Sequence, residues 1–323
     1  MSQLRLNPLT GRWVTIATGR ADRPEDFVSR NLAVESEPGR QCPFCPGNEE
    51  ATPPALETYG GDGAWQVRVV PNKYPAFEDD APLRVEEVGK VFSQAGASGI
   101  HEVLVFSPHH LRGWEDLDDK QCALVMAAIR DRIEEHGRHD PVRYTQVIVN
   151  HGREAGASLE HGHGQLLGVP FVPTEISEEI DGFARYDGEC LLCATVEEEL
   201  NAGHRVVLEN DKVAVISPFW SGVPFEMLVV PRGHERAVDH THPGELVAAG
   251  RATRDALALL RDRLGEVAYN LVFHTAPHHD DVAFHWHIHI VPRLTTAAGF
   301  EQGTGVLINV VAPEAATQHL LRD

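Results

Sequence analysis

Two kinds of hydrophobic period alternate along the chain. Apolar and polar positions alternate through WQVRVVPNKYPAF (65–77), HEVLVFSPHH (101–110), YTQVIVNHG (144–152) and HGHGQLLGVPFVP (161–173), the period of a strand with one buried face. Between the second and third of these, Leu117, Cys122, Val125, Met126, Ile129 and Ile133 fall at helical spacing over 117–136, with Asp116 placed to cap the start. The order then returns. RVVLEND (205–211), KVAVISPF (212–219) and FEMLVVPRGH (225–234) predict strands, 245–264 predicts a helix, and NLVFH (270–274) and HWHIHIVPRL (285–294) close as strands. Asn72-Lys73 and Asn210-Asp211-Lys212 sit at corresponding points of the two runs. The pattern predicts an α+β chain built from a duplicated strand-helix-strand unit, with halves at 1–182 and 183–323 sharing one core and a seam near 175–190.

Composition supports a full core and narrows the partners. Of 323 residues, 42% are hydrophobic, and 28 basic side chains face 48 acidic ones, a formal net charge of −20. Nucleic acid and anionic membrane surfaces are held mainly by Lys and Arg, so neither is an expected partner. Any phosphate must be bound locally by histidines, a few arginines and backbone amides. No apolar run is long enough to cross a bilayer, and MSQLRLNPLTGRW lacks a signal-peptide core, so a cytoplasmic protein is expected. Cys122, within the helical stretch, reads as a small core residue.

The other four cysteines carry chemistry. Cys42-Pro-Phe-Cys45 is followed by His110 and then His161-Gly-His163; Cys190-Leu-Leu-Cys193 is followed by His234 and then His285-Trp-His287. In each half 51 residues separate the lone histidine from the first of the pair (110 to 161, 234 to 285). Two thiolates and two imidazoles make a closed tetrahedral Zn²⁺ set, so the repeat predicts two structural zinc sites: Cys42, Cys45, His110 and His161, and Cys190, Cys193, His234 and His285. A redox pair or unrelated thiols would explain either C-x-x-C taken alone. His285, His287 and His289 share one strand face, so any of the three is a possible ligand. His163 lies outside its set of four, beside His161 and on the face of Gln165, and is the candidate nucleophile; an ordinary hydrogen-bonded histidine or third ligand is the plainer alternative. Glycines 162 and 164 allow close approach on the opposite face.

Over nearly its whole length the chain resembles the galactose-1-phosphate uridylyltransferases of the histidine-triad (HIT) superfamily, with features of their nucleotide-sugar phosphorylase relatives. The resemblance rests on NPLTGRWV, R-x-x-R-P at Arg20 to Pro24, CPFCPGNE, VVPNKYPAF, FSPHH, VNHGREAGASLEHGHGQ, HWHIHIVPR and GFEQGTG. It implies duplicated HIT-like units, with a mostly antiparallel sheet and flanking helices, in a homodimer. It implies His163 as the catalytic nucleophile and Gln165 holding phosphoryl oxygens, with Ser158 and Asn150 in the same role. Arg20, Arg23, Phe44 and Asn72 resemble nucleotide-binding residues, and Phe300, Gly303 and Thr304 those that meet the sugar phosphate. A second type of metal site in some members matches Glu179, His274, His287 and His289.

The implied reaction is a double displacement between NDP-sugars and sugar 1-phosphates through a nucleotidyl-histidine, as in UDP-glucose:galactose-1-phosphate uridylyltransferase. Two features differ from the usual pattern. Gly162 replaces the proline between the histidines and predicts a looser backbone there. GFEQGTG has glycine where the galactose-directed enzymes carry a loop glutamate; this and the second C-x-x-C resemble an ADP-glucose-type phosphorylase using inorganic phosphate. A zinc-stabilised nucleotide-binding protein without turnover is the alternative from another class.

Overall fold

The computed structural model describes residues 2–20, 42–61, 64–79, 81–110 and 113–322. Its strands are β1 (Gln3–Leu6), β2 (Trp13–Ile16), β3 (Glu57–Tyr59), β4 (Val67–Pro71), β5 (Glu86–Val88), β6 (Phe92–Gln94), β7 (Ile100–Val105), β8 (Tyr144–His151), β9 (His163–Val169), β10 (Val206–Glu209), β11 (Val213–Ile216), β12 (Met227–Pro231), β13 (Tyr269–His274), β14 (His287–Pro292) and β15 (Leu307–Asn309). The helices are α1 (Asp119–His136), α2 (Thr174–Arg185), α3 (Leu191–Ala202), α4 (Pro243–Leu264), α5 (Gly299–Thr304) and α6 (Pro313–Leu320). The fold is α+β.

Among the described residues, ten strands form one antiparallel sheet in the order β10-β11-β12-β14-β13-β8-β9-β7-β4-β3. Each half supplies five strands in the same spatial order, and the two copies join edge to edge where β8 pairs with β13. Asn150 stands opposite Asn270 at that joint, and Asn270 Nδ2 donates to Asn150 Oδ1 at 2.7 Å. The edge that each five-stranded unit would expose on its own is thereby paired. The expected seam at 182/183 lies inside α2, where Gly182 packs on the Leu9 backbone so closely that a Cβ would fall 1.8 Å from the Leu9 carbonyl oxygen.

One face of the sheet is covered by α1 and α4, which pack on each other and bury the largest cluster, including Leu104, Val147, Leu166, Leu271 and Ile288. The helices approach closely because position 250 is glycine: a Cβ there would sit 2.6 Å from Met126 Cγ. Helix α1 starts two residues later than the pattern predicts. Asp118, not Asp116, caps it, accepting from Gln121 N at 2.7 Å. Residues Trp114–Asp116 instead form a 3-10 turn, pinned by Trp114 N donating to the Tyr269 hydroxyl and Trp114 Nε1 to the Gly250 carbonyl.

The other face carries two smaller clusters: Leu191, Leu192, Trp220 and Phe284 under α2 and α3, and Phe44, Val70, Val103 and Val105 under the turn that holds the first cysteine pair. A separate sheet, β1-β2-β15, joins the two ends of the chain, with β15 parallel to β2. No helix among the described residues is long and apolar enough to cross a membrane.

Candidate active site and metal centres

The candidate nucleophile stands at the start of β9, between β7 and β8. Val105 faces His163 and Val103 faces Gln165 across the β7–β9 pairing, so both site residues project from the face that carries Phe44. The intervening residue must be small: a Cβ on Gly164 would meet the Ile148 carbonyl oxygen at 3.2 Å and Phe106 Cε1 at 3.3 Å. The backbone just before His163 is also tied down, because Phe106 N donates to the Gly162 carbonyl at 3.1 Å. The expected loosening at Gly162 is therefore countered by a ladder bond to the residue after β7.

His163 is buried, and its Nδ1–H donates to the His161 carbonyl oxygen at 2.8 Å. A carbonyl can only accept, so the neutral ring carries its proton on Nδ1 and its lone pair on Nε2. Burial lowers the pKa of His163 and favours that neutral form, against the smaller opposing effect of the carbonyl. The Phe44 ring packs 5.2 Å from the His163 ring, centroid to centroid. The residues open onto a cavity of about 490 Å³ lined by Phe44, Asn72, Lys73, Ser158, His163 and Gln165 among others.

The two C-x-x-C sets converge as the repeat predicts. Cys42 and Cys45 Sγ lie 3.5 and 3.6 Å from His161 Nδ1, and Cys45 Sγ lies 3.4 Å from His110 Nδ1. In the second set Cys190 and Cys193 Sγ lie 3.6 and 3.4 Å from His285 Nδ1, and Cys193 Sγ lies 3.7 Å from His234 Nδ1. All four ligand atoms of each set fall within 4.8 Å of one another. The carbonyls of Ser107 and Pro231 accept from Nε2 of His161 and His285 at 2.8 and 3.0 Å, leaving the Nδ1 lone pair of each free to hold an ion. Burial, with nearby histidines, depresses the His161 pKa to about 4, which keeps the ring neutral as a ligand. Burial and the adjoining Cys42 raise the Cys45 thiol to about 11, so two thiolates form side by side only with a cation to offset them. The local frames differ: Cys42 and Cys45 share a tight turn, whereas Cys190 caps α3 and its Sγ accepts from Cys193 N.

Glu179, His274, His287 and His289 make a third group. Glu179 Oε1 accepts from His274 Nδ1 at 2.9 Å, Glu179 Oε2 is buried without a hydrogen-bond partner, and His287 Nε2 lies 3.1 Å from His289 Nε2. Despite burial, His274 and His287 hold the Glu179 carboxyl far below the usual range. An unpartnered carboxylate oxygen beside two facing ring nitrogens suits a shared cation. Asn150, His163 and Gln165 in the first half correspond by position, 124 residues apart, to His274, His287 and His289 in the second. His287 Nδ1 even repeats the nucleophile's bond, donating to the His285 carbonyl at 2.9 Å.

Other predicted residues fall elsewhere. The Arg20 side chain and Arg23 lie outside the described residues. Asn150 does not line the cavity; its oxygen is engaged by Asn270. Phe300, Gly303 and Thr304 lie in the exposed helix α5 and are not brought to His163 within the chain. One site residue went unassigned in the sequence reading: His101, whose Nε2 lies 2.9 Å from Gln165 Oε1. Its signal is the period of two that puts it on the face of Val103 and Val105.

Comparisons with known proteins show the family and the fold. A family model described as galactose-1-phosphate uridyl transferase, N-terminal domain, matches residues 1–173, and one described as a domain of unknown function matches residues 113–323. ADP-glucose phosphorylase of Arabidopsis thaliana is 33% identical over 97% of this chain and 90% of its own. Galactose-1-phosphate uridylyltransferase of Thermotoga maritima is 29% identical over 99% and 98%. The crystal structure of an Arabidopsis thaliana ADP-glucose phosphorylase with bound ADP-glucose superposes with a TM-score of 0.85 at 30% identity, covering 100% of this chain and 99% of that one. A uridylyltransferase structure gives 0.77 at 26%, covering 99% and 97%.

Proposed function

The chain belongs to the galactose-1-phosphate uridylyltransferase family, and from that premise we propose that it transfers a nucleotidyl group from an NDP-sugar through a covalent nucleotidyl-histidine at His163. The observation that carries this reading is the bond from His163 Nδ1–H to the His161 carbonyl, which leaves the Nε2 lone pair for attack beside the cavity. Nε2 attacks the α-phosphorus, the bond to the bridging oxygen breaks, and sugar 1-phosphate leaves. An acceptor phosphate oxygen then attacks the same phosphorus, and the phosphorus–nitrogen bond breaks to restore the imidazole. Gln165 and Ser158, which line the cavity with Phe44, Asn72 and Lys73, would donate to the non-bridging oxygens.

For the acceptor we favour inorganic phosphate with an ADP-glucose-type donor. The relative at 33% identity and the formation of the second cysteine-histidine set support that choice. Galactose 1-phosphate is the second reading, supported by the family model and the 29% identical uridylyltransferase. In each Cys₂His₂ set the sulfur–nitrogen separations of 3.4 to 3.7 Å match the roughly 3.5 Å edge of a tetrahedron built from typical Zn–S and Zn–N bonds, so zinc is the proposed ion. It would brace His110 and His161 against the 42–45 turn. Reduced thiols suit a cytoplasmic setting. The exposed Phe300, Gly303 and Thr304 fit a sugar-phosphate contact made across a homodimer.

The test is intact-protein mass after incubation with ADP-glucose and, separately, UDP-glucose without acceptor. One nucleotidyl adduct that disappears in His163→Ala is expected, and its mass names the base. No adduct with either donor sinks the covalent mechanism and leaves a zinc-stabilised binding protein. Release of the adduct by phosphate or by galactose 1-phosphate separates the two acceptors.

A further inference from the structure

We infer that His101 is a positioning residue that fixes which end of the Gln165 carboxamide faces the reacting phosphoryl group; this rests on the nucleotidyl-transfer reading. His101 pairs with Leu167 across β7 and β9 and stands diagonal to Gln165 on the same face, within reach of a long side chain. Its tautomer follows from a backbone group. Ala76 N, which can only donate, lies 3.0 Å from His101 Nδ1, so Nδ1 holds the lone pair and Nε2 carries the proton.

Two side-chain atoms lie near that proton: Gln165 Oε1 at 2.9 Å and Asn72 Nδ2 at 3.1 Å. Asn72 has its oxygen committed to Tyr74 N at 2.9 Å, so the end it turns to His101 is its donor end and cannot accept. Gln165 must therefore present its oxygen to His101, and its Nε2 amide points away as a donor for an anionic oxygen in the cavity it lines. Without His101 the amide can rotate and present its oxygen, a repulsive end, to the phosphoryl group. Asn72 N also donates to the His101 carbonyl at 2.8 Å, so the cavity wall and the positioning residue move together. His101 touches no reacting atom; it acts through Gln165.

The experiment compares His101→Phe, which keeps a planar ring without the donor, with His101→Gln, whose terminal amide can reach the position of the Nε2–H. Single-turnover formation of the His163 adduct is followed alongside donor binding. His101→Phe is expected to slow adduct formation by about 10- to 100-fold, the range for residues that orient a functional group, with donor affinity changed far less. His101→Gln should recover most of the rate, and in a Gln165→Ala background His101→Phe should add little. Equal loss in both His101 variants, a rate within about twofold of wild type in His101→Phe, or additive loss with Gln165→Ala overturns the proposal. If wild type forms no adduct, the transfer reading fails by itself. Long-range ¹H–¹⁵N NMR then decides the positioning: a proton on Nε2 of His101 supports it, and one on Nδ1 overturns it.

Discussion

His163 donates from Nδ1 to the carbonyl oxygen of His161, so the attitude of the candidate nucleophile is set by the backbone of a residue of the first cysteine-histidine set, two positions earlier. The His161 ring is itself held twice, by Ser107 at Nε2 and by the cysteine pair around Nδ1. Loss of the first ion should therefore reach the chemistry, whereas loss of the second should not. Cys45→Ser is expected to lose one equivalent of zinc and slow adduct formation by about 10- to 100-fold, the scale of an ångström-sized misplacement. Cys193→Ser should lose one equivalent and keep its rate within a few-fold. Elemental analysis paired with adduct kinetics reads both, and equal rates in the two variants would refute the linkage.

His287 repeats the nucleophile's carbonyl bond but meets His289 at 3.1 Å through the nitrogen that would attack. Its lone pair points into the Glu179 cluster. Peptide mapping of the adduct should place the nucleotidyl group on His163 alone, and His287→Ala should lose bound metal yet still form the adduct. Modification at position 287 would mean that both copies of the repeat are catalytic.

Beneath the site, Arg132 grips Glu102 with Nε to Oε2 at 2.9 Å and Nη2 to Oε1 at 2.6 Å, and Glu102 is almost fully buried. Burial alone would raise the Glu102 pKa, but His136 and Arg132 outweigh it and hold the carboxyl below its ordinary value. Removing one partner strands a buried charge. Glu102→Ala is expected to cost about 3–5 kcal/mol in urea unfolding, and Glu102→Leu combined with Arg132→Leu should recover a good part of that. A loss under 1 kcal/mol would show that water already reaches the pair.

How much of this could be read from the residues depends on what each reading needs. Nine of the ten strands of the large sheet were legible because a period of two is local and survives in YTQVIVNH and HIHIVP; β3 (Glu57–Tyr59) lies outside every segment that showed it. The expected strand ends were too long: β9 begins at His163 rather than His161, and β12 stops at Pro231 rather than His234, because the ligand residues leave the ladder to meet the cysteines. The start of α1 was misplaced because both Asp116 and Asp118 can cap, and only the long-range Trp114–Tyr269 contact decides between them. The period of two puts His101 on the site face, but its role was hidden for a related reason. Its role comes from a diagonal across β7 and β9 and from an amide at Ala76, neither of which is a sequence neighbour.

His278 gives the stability a pH dependence whose sign can be worked out. Burial, reinforced by His136, His279 and Arg143, lowers its pKa to about 4 from an ordinary value near 6.5. Its Nε2 lies 2.8 Å from the Thr145 hydroxyl, which also lies 3.1 Å from His136 Nδ1, while Asp280 on the outer side is taken up by Arg143 at 2.7 Å. Between pH 6.5 and 4 the unfolded chain binds a proton at this position and the folded chain does not. Folding stability therefore falls as pH drops through that window, by at most about 3 kcal/mol for a shift of this size. His278→Gln keeps a terminal amide near Thr145 and removes the titration, so its stability should decline less steeply than wild type between pH 6.5 and 4 and run parallel above pH 7. Urea unfolding across that range measures it; metal release in acid affects both proteins alike and cancels in the comparison. Parallel curves throughout would mean that His278 takes up its proton in the folded chain.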